Sequence, residues 1–324
     1  MKIEGCQVML DSCAKFFQSL FLHGWFDACG DGLVAAEFQD DAVPVLHQVS
    51  AVGEFHGGVA SLGSDKGFHV QVLRAADAEI GAARLVLKTR RGRKIVIPVQ
   101  QLVDERIRGF ATPELYRKFV ADLQASRRKL KILDIGGRNR SGLDRSKAFG
   151  WADVTVLDIV PGDNVDVVGD AHELSRYFAP ESFDAVYCVY VFEHLLMPWK
   201  AALEINRVLR PGGRCLVHTH QTLGMHDLPW DFWRFSDSSW DALFNERTGF
   251  RIVTRAMDSE QYVIPFLLRQ EKMTAEKSAG FEGSTVLAEK VGGTRLEWPV
   301  TIAETVGTAY PTHDDGQAGR SYVQ

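Results

Sequence analysis

Three aliphatic runs in the middle of the chain are each marked by an acid near their end. Lys131-Ile132-Leu133-Asp134-Ile135 leads into Gly136-Gly137, the run Val154 to Ile159 carries Asp158, and Gly169-Asp170-Ala171 follows soon after. A carboxylate at a strand tip accepts hydrogen bonds from the two hydroxyls of a ribose, and a glycine turn lets backbone N–H groups approach a ligand that a side chain would obstruct. Any one of these acids is as readily a helix cap. Three at three consecutive strand ends favour a nucleotide-like ligand. A second reactive group lies further on. Glu193-His194 is followed by a segment, His218 to Phe235, that holds His218, His220, His226, Asp227, Asp231, Trp230, Phe232, Trp233 and Phe235. Histidines suit proton transfer to or from a hydroxyl, and aromatic faces rimmed by polar groups suit a sugar ring.

For these groups to converge, the runs must be neighbouring strands. Branched aliphatics over Lys131–Ile135 suit a strand buried on both faces of a parallel sheet. Val154 to Ile159 reads as the second strand and Ser182 to Cys188 as the fourth, ending at Val191-Phe192-Glu193-His194. A helix from about Trp199 to Leu209 stops at Pro211-Gly212-Gly213, and Cys215-Leu216-Val217 reads as the fifth strand. A helix from about Ser238 to Glu246 and strands from Phe250 and over Ser284–Lys290 complete a sheet of seven. Upstream, Thr112 as N-cap with Pro113 opens a helix whose Leu115, Phe119 and Leu123 form one apolar stripe. A nicotinamide-type loop wants G-x-G-x-x-G. The loop here, Gly136, Gly137, Arg138, Asn139, Arg140, Ser141, Gly142, fits that pattern poorly.

This series resembles the class I S-adenosylmethionine (SAM)-dependent methyltransferases, in particular a small-molecule branch with E-H-L after strand four and R-V-L-R-P-G-G before strand five. The resemblance covers roughly residues 129 to 292. It implies SAM as cofactor, with Asp134, Gly136 and Gly137 beside its methionine part, Asp158 on the ribose, Ile159 against the adenine, and Asp170 with Ala171 at the adenine amine. The family usually has D-x-G-x-G-x-G, so Arg138 and Arg140 stand where glycines are expected. Arg138 either meets the SAM carboxylate or is a solvated loop arginine. The pattern H-x-x-P-x-x-x-W-R-F, here His226, Pro229, Trp233, Arg234 and Phe235, looks like that of methyltransferases encoded among surface-polysaccharide and lipopolysaccharide functions. In a ubiquinone-pathway O-methyltransferase group, an acid three residues before the Glu-His pair helps hold a divalent metal. Tyr190 occupies that position here, and no metal is expected. Glu193-His194 then supplies either a base or acceptor orienter at His194, or a structural cap at Glu193.

The 324 residues are 45% hydrophobic and 24% charged, an ordinary globular composition, and the net charge of −5 argues against a nucleic-acid polymer as partner. No Asn/Asp-Pro-Pro-aromatic motif of nucleic-acid amino methylation is present. The basic clusters Arg90 to Lys94 and Arg127-Arg128-Lys129 read as solvated surface. Cys6, Cys13, Cys29, Cys188 and Cys215 show neither a C-x-x-C pair nor metal spacing. No run reaches the ~20 apolar residues of a membrane span. A cytoplasmic protein is expected, and a homo-oligomer is compatible with it.

Residues 1–111 read as a small, mostly antiparallel β domain, sandwich-like, with a hairpin across Arg91-Gly92. Around Leu22-His23-Gly24-Trp25-Phe26 it loosely resembles β modules found beside glycan-processing domains, with scaffolding or oligomer contact as the plainer role. The expected organisation is therefore this accessory domain, a linking helix over 112–128, an α/β, Rossmann-like seven-stranded methyltransferase domain over 129–292 with helices on both faces, and an arm over 293–324. The expected activity is O-methylation of a sugar or glycan hydroxyl, with His226 or His194 as base and Asp231 as orienter. His220, Trp230, Trp233 and Arg234 are expected to meet the acceptor. The alternatives are methylation of another small metabolite, such as a quinol or carboxylate, and an inactive SAM- or glycan-binding module.

Overall fold

The computed structural model describes residues 2–3, 5–28, 30–53, 65–108, 111–126, 128–140, 145–261, 280–306 and 310. The chain divides into two compact units, Met1–Phe110 and Ala111–Gln324.

In the first unit, β1 (Lys2–Ile3), β2 (Cys6–Phe16), β3 (Ser19–Asp27), β5 (Val45–Gly53) and β6 (Gly67–Arg74) form one sheet in the order β1-β2-β3-β6-β5. A second sheet joins β4 (Leu33–Asp40), β7 (Ala83–Thr89) and β8 (Lys94–Pro98), and α1 (Val99–Arg108) follows. Both sheets contribute to one apolar core. Alternation along β3 sends Leu20, Leu22 and Phe26 into it and leaves His23 and Trp25 on the other side. The β7–β8 hairpin turns at Gly92, whose φ of +79° suits glycine.

The second unit opens with α2 (Ala111–Gln124), then β9 (Lys131–Ile135), β10 (Asp153–Asp158), β11 (Val167–Val168), β12 (Phe183–Val189), α3 (Pro198–Val208), β13 (Leu209–His220), α4 (Ser239–Leu243), β14 (Phe250–Gln261) and β15 (Gly280–Lys290). The sheet order is β11-β10-β9-β12-β13-β15-β14. Strands β9 to β13 run parallel, and β15 lies antiparallel to both β13 and β14, so the sheet is mixed. From β9 the chain steps outward to β10 and β11, then returns to the other side of β9 as β12. That reversal opens a crevice beyond the carboxyl ends of β9 and β12, where ligands of open α/β sheets bind.

Residues one apart on the same strands feed two separate cores. Leu133, Val186, Cys215, Val217, Val286 and Ala288 pack with Ala201, Ile205 and Val208 of α3 and with Trp240 of α4. Ile132, Ala185, Leu216 and Leu287 pack with the α2 stripe Leu115, Phe119 and Leu123. Three local details depart from the sequence reading. Helix α2 begins at Ala111, so Thr112 is helical rather than capping, and its buried hydroxyl lies 3.4 Å from that of Thr285. Strand β13 starts at Leu209, taking in Arg210 to Gly213 before a register shift against β12. The helix expected over Ser238–Glu246 is a single turn, because Asn245 caps a new turn, Glu246–Thr248, that Gly249 closes at φ +79°. Arg128 is no free surface cation. It forks onto the buried Asp184, which also accepts from the Lys131 amide and Arg210.

Candidate active site

The crevice at the reversal is a cleft of ≈ 690 Å³, partly open to solvent. Its floor is the turn after β9. Gly136 has φ +70°, donates its N–H to the Leu157 carbonyl at 2.7 Å, and leaves no room for a side chain, since an added Cβ would stand 2.1 Å from Val191 Cγ2. At Gly137 an added Cβ would stand 2.5 Å from Asp134 Oδ2. Asp134 is fully buried and lies under this turn, whose Gly136 carbonyl accepts from Arg145. Arg145 also donates to the Val189 carbonyl at 2.7 Å and stands 4.0 Å from Asp134, so one guanidinium ties the tips of β9 and β12 together.

The acidic strand tips flank one side. Asp158 accepts from the backbone of Val160 at 2.9 Å and of Arg138 at 3.3 Å. A carboxylate has about four acceptor positions, so two remain for ribose hydroxyls. Asp170 accepts from the His172 backbone at 2.8 Å and ring Nδ1 at 2.6 Å. Burial alone would raise the Asp170 carboxyl, but His172 holds it below its ordinary value. Ile135, Leu157, Ile159, Ala171, Val191 and Leu195 supply apolar wall. Arg138 also lines the cleft, largely buried over Gly162 with Nε 3.8 Å from Asp158, and so differs from a solvated loop residue. Glycine-turned floor, acid tips and apolar wall fit an adenosyl group bearing a cationic sulfur.

The other side carries the histidines. Tyr190, with φ +57°, ends β12 and stacks on His220 at 4.4 Å between ring centroids. Such a backbone is costly for an aromatic residue and is held here by the Tyr190 N–H bond to the His218 carbonyl, 2.9 Å long. Glu193, fully buried, accepts from the Thr219 hydroxyl, while its carbonyl accepts from the amides of Phe232 and Trp233. Burial pushes the Glu193 carboxyl up. His194 lines the cleft, and its Nδ1 lies 2.6 Å from the Trp230 carbonyl. A carbonyl only accepts, so Nδ1 carries a proton; in the neutral ring the lone pair is on Nε2, which stands 3.8 Å from Glu193 and 3.9 Å from Asp227. His226 packs edge-on to both His194 and His220, with centroids 4.9 and 5.4 Å away. Burial first, and neighbouring cations second, push His220 down to about 4. His218 is a core histidine, bonded to Thr285 at 2.6 Å and Tyr190 at 3.2 Å.

The Asp231 side chain is shielded from solvent beside His226. Burial would raise its carboxyl, but the Arg234 fork at 2.6 and 2.8 Å and the His226 N–H at 2.9 Å hold it below its ordinary value. Arg234 also donates to the Leu223 and Gly224 carbonyls, both at 3.0 Å, so it frames its own loop instead of facing the cleft. Trp233 is exposed and meets Trp199 edge-on, away from the cleft lining, whereas Trp230 is buried and lines it. At the rim Arg140 forks onto Asp227, which also accepts from Tyr310 at 3.2 Å. Arg140 first, and then His194 and Tyr310, hold Asp227 below its ordinary value.

Of the residues expected at the cofactor, Gly136, Asp158, Ile159, Asp170 and Ala171 line the cleft, while Asp134 and Gly137 support it from below. Gly142 lies outside the described residues. Of those expected at the acceptor, His194 and Trp230 reach the cleft, and His220, His226 and Asp231 form a layer beside them. Sequence reasoning missed Arg145, Val191 and Tyr310, noted Arg140 only as a departure from the glycine loop, and saw in Tyr190 only a missing acid. The single available signal was a basic residue in the family's glycine loop. Donors of Glu193, His220 and His226, and those of His194, His226 and Asp231, lie close enough to share an ion, a proximity of distant segments that spacing alone does not reveal.

Residues 133–217 match the family described as "Methyltransferase domain". The ubiquinone/menaquinone biosynthesis C-methyltransferase UbiE of Roseobacter denitrificans is 32% identical over 120 residues, an alignment covering 32% of this chain and 47% of that protein. The chain thus spans about half the length of the curated relative it matches. Among solved structures, a SAM dependent methyltransferase from Archaeoglobus fulgidus is similar at 16% identity and TM-score 0.40, covering 59% of this chain and 100% of that one. Another, from Aquifex aeolicus, gives 16% identity and TM-score 0.37, covering 57% of this chain and 93% of that one. The family match begins inside β9 and ends inside β13, the strands that build the cleft, so the part of the chain that is similar to methyltransferase domains is the part that forms the site.

Proposed function

We propose that the protein transfers the methyl group of SAM to a hydroxyl of a sugar or glycan, in polysaccharide biosynthesis, in the cytoplasm. The observation that carries the reading is His194. It stands on the cleft wall with Nδ1–H committed to the Trp230 carbonyl and Nε2 available as a base. Bound SAM supplies a methyl group already activated on a sulfonium. Gly136, Asp158, Ile159, Asp170 and Ala171 hold the adenosyl part, and Leu195 and Trp230 keep water from the reacting centre. The acceptor oxygen attacks the methyl carbon in line as the sulfur–carbon bond breaks, and its proton passes to His194 Nε2. S-adenosylhomocysteine and a methyl ether result. Asp231 acts at one remove, fixing the His226 backbone that packs on His194. The aromatic, polar-rimmed loop after β13 and its H-x-x-P-x-x-x-W-R-F pattern support a sugar acceptor.

The name of the curated relative favours one other reading, methylation at carbon of a different small metabolite. Calorimetry with SAM, followed by label transfer from SAM to a panel of nucleotide sugars, oligosaccharides and quinols, decides between them. Micromolar SAM binding and label in a sugar ether are expected. Label on quinol carbon would move the acceptor class, and absence of SAM binding would remove the proposal.

A further inference from the structure

We propose that Glu193, His220 and His226 form a binding site for one divalent transition-metal ion, of zinc-like ligand preference, beside the acceptor end of the cleft. One donor atom from each lies within 4.8 Å of the other two. Three separate segments supply them: the turn after β12, the end of β13 and the loop that follows.

The geometry at Glu193 points to an ion. The side chain is fully buried, its Oε2 is taken by Thr219, and its Oε1 has no hydrogen-bond partner among the described residues. A buried carboxylate oxygen left this way is costly. His220 Nε2 lies 3.4 Å from Oε1. Two ligands of a tetrahedral ion at bonds of about 2.0–2.1 Å stand roughly 3.3–3.4 Å apart. His226 has the tautomer a ligand needs. Its Nδ1 lies 3.1 Å from the Gly224 carbonyl, so Nδ1 carries the proton and Nε2 is left to coordinate. Metal-bound histidines commonly donate their second N–H to a carbonyl in this way. The stack on Tyr190 fixes the His220 ring.

His194, His226 and Asp231 also meet the 4.8 Å limit. That set is disfavoured, because both Asp231 oxygens are already engaged by Arg234 and the His226 amide. Two imidazole nitrogens and one carboxylate suit zinc or cobalt better than magnesium or calcium, which take oxygen ligands. Three protein ligands leave one position open, as in catalytic zinc sites. What fills that position rests on the proposed function: the acceptor hydroxyl would bind there, be made more acidic, and lose its proton to His194 Nε2 as the oxygen–methyl bond forms. The ion-binding claim itself stands without that step.

The full chain, stripped with a chelator, is titrated with Co(II) while visible absorption is followed, and with Zn(II) by calorimetry. One ion per chain and an intense tetrahedral Co(II) band are expected. Glu193→Gln, His220→Ala and His226→Ala should each weaken binding at least tenfold, while His69→Ala on the first unit should not change it. His226 is part-exposed, so its variant keeps the test alive if the Glu193 variant fails to fold. No stoichiometric uptake, or uptake indifferent to all three substitutions, overturns the site. SAM binding measured on the same samples separates the two claims: SAM bound without metal uptake removes the ion alone, and metal uptake without SAM binding removes the proposed function alone.

Discussion

Gly136 combines a left-handed φ with a contact that admits no side chain. Gly136→Ala is expected to destabilise the protein by about 1–3 kcal/mol and to weaken SAM binding, checked by urea unfolding and calorimetry. His194→Ala should lower kcat by roughly 10²–10⁴ while leaving SAM affinity within about twofold, since only proton transfer is removed. An equal loss of SAM affinity would show that His194 shapes the cofactor pocket instead. The cleft residues legible in the sequence were those defined by their place at a strand end: Gly136, Asp158, Ile159, Asp170 and Ala171. Arg145 and Tyr310 were not legible, because each acts across a long gap in the chain. Arg145 reaches the carbonyls of Gly136 and Val189, and Tyr310 reaches Asp227. Arg234 pairs locally for a physical reason: an arginine three residues from an aspartate can satisfy its fork there, and here it does.

Strands β9, β12 and β13 are joined at their amino ends by one carboxylate. Burial alone would push the Asp184 carboxyl up, yet the Arg128 fork, the Lys131 amide and Arg210 hold it below its ordinary value. A carboxylate whose folded pKa is depressed binds fewer protons folded than unfolded below neutrality. Its stabilisation is therefore complete above the unfolded value of about 3.9 and is lost as pH falls through the lower folded value. Asp184→Asn should cost about 1–3 kcal/mol at pH 7 and flatten the acid limb of the stability curve, checked by unfolding at several pH values. On the opposite side of β9, Phe119→Ala in α2 should cost about 3–5 kcal/mol, because the ring is fully buried against Phe149 and Tyr187. The parallel strands were legible because burial on both faces leaves continuous aliphatic runs. The exact starts of α2 and β13 were not, since Thr112 meets the distant Thr285 and Arg210 to Gly213 lie in the register shift between the β12 pairings of Leu209 and Arg214.

The chain divides into two compact units, the first with one apolar core and the second with two, one on each face of its sheet. A fragment over 111–324 is accordingly expected to bind SAM within about threefold of the full chain, measured by calorimetry, and a larger loss would assign the first unit a part in the cleft. The β-rich character of that unit was legible from alternation, whereas the partition of its strands into two sheets depended on pairing between distant runs. In the second unit, main-chain groups fasten the two ends of the segment after β13, while Asp231 and Arg234 brace its interior by side chains. The Phe235 amide returns to the His220 carbonyl, the Phe232 and Trp233 amides meet the Glu193 carbonyl, and the Gln221 amide meets Glu282. Such anchors are indifferent to which side chains the segment carries. A lineage, or an engineer, can therefore rewrite the exposed tip from Leu223 to Met225 to suit a new acceptor while the cofactor-holding framework stays as it is.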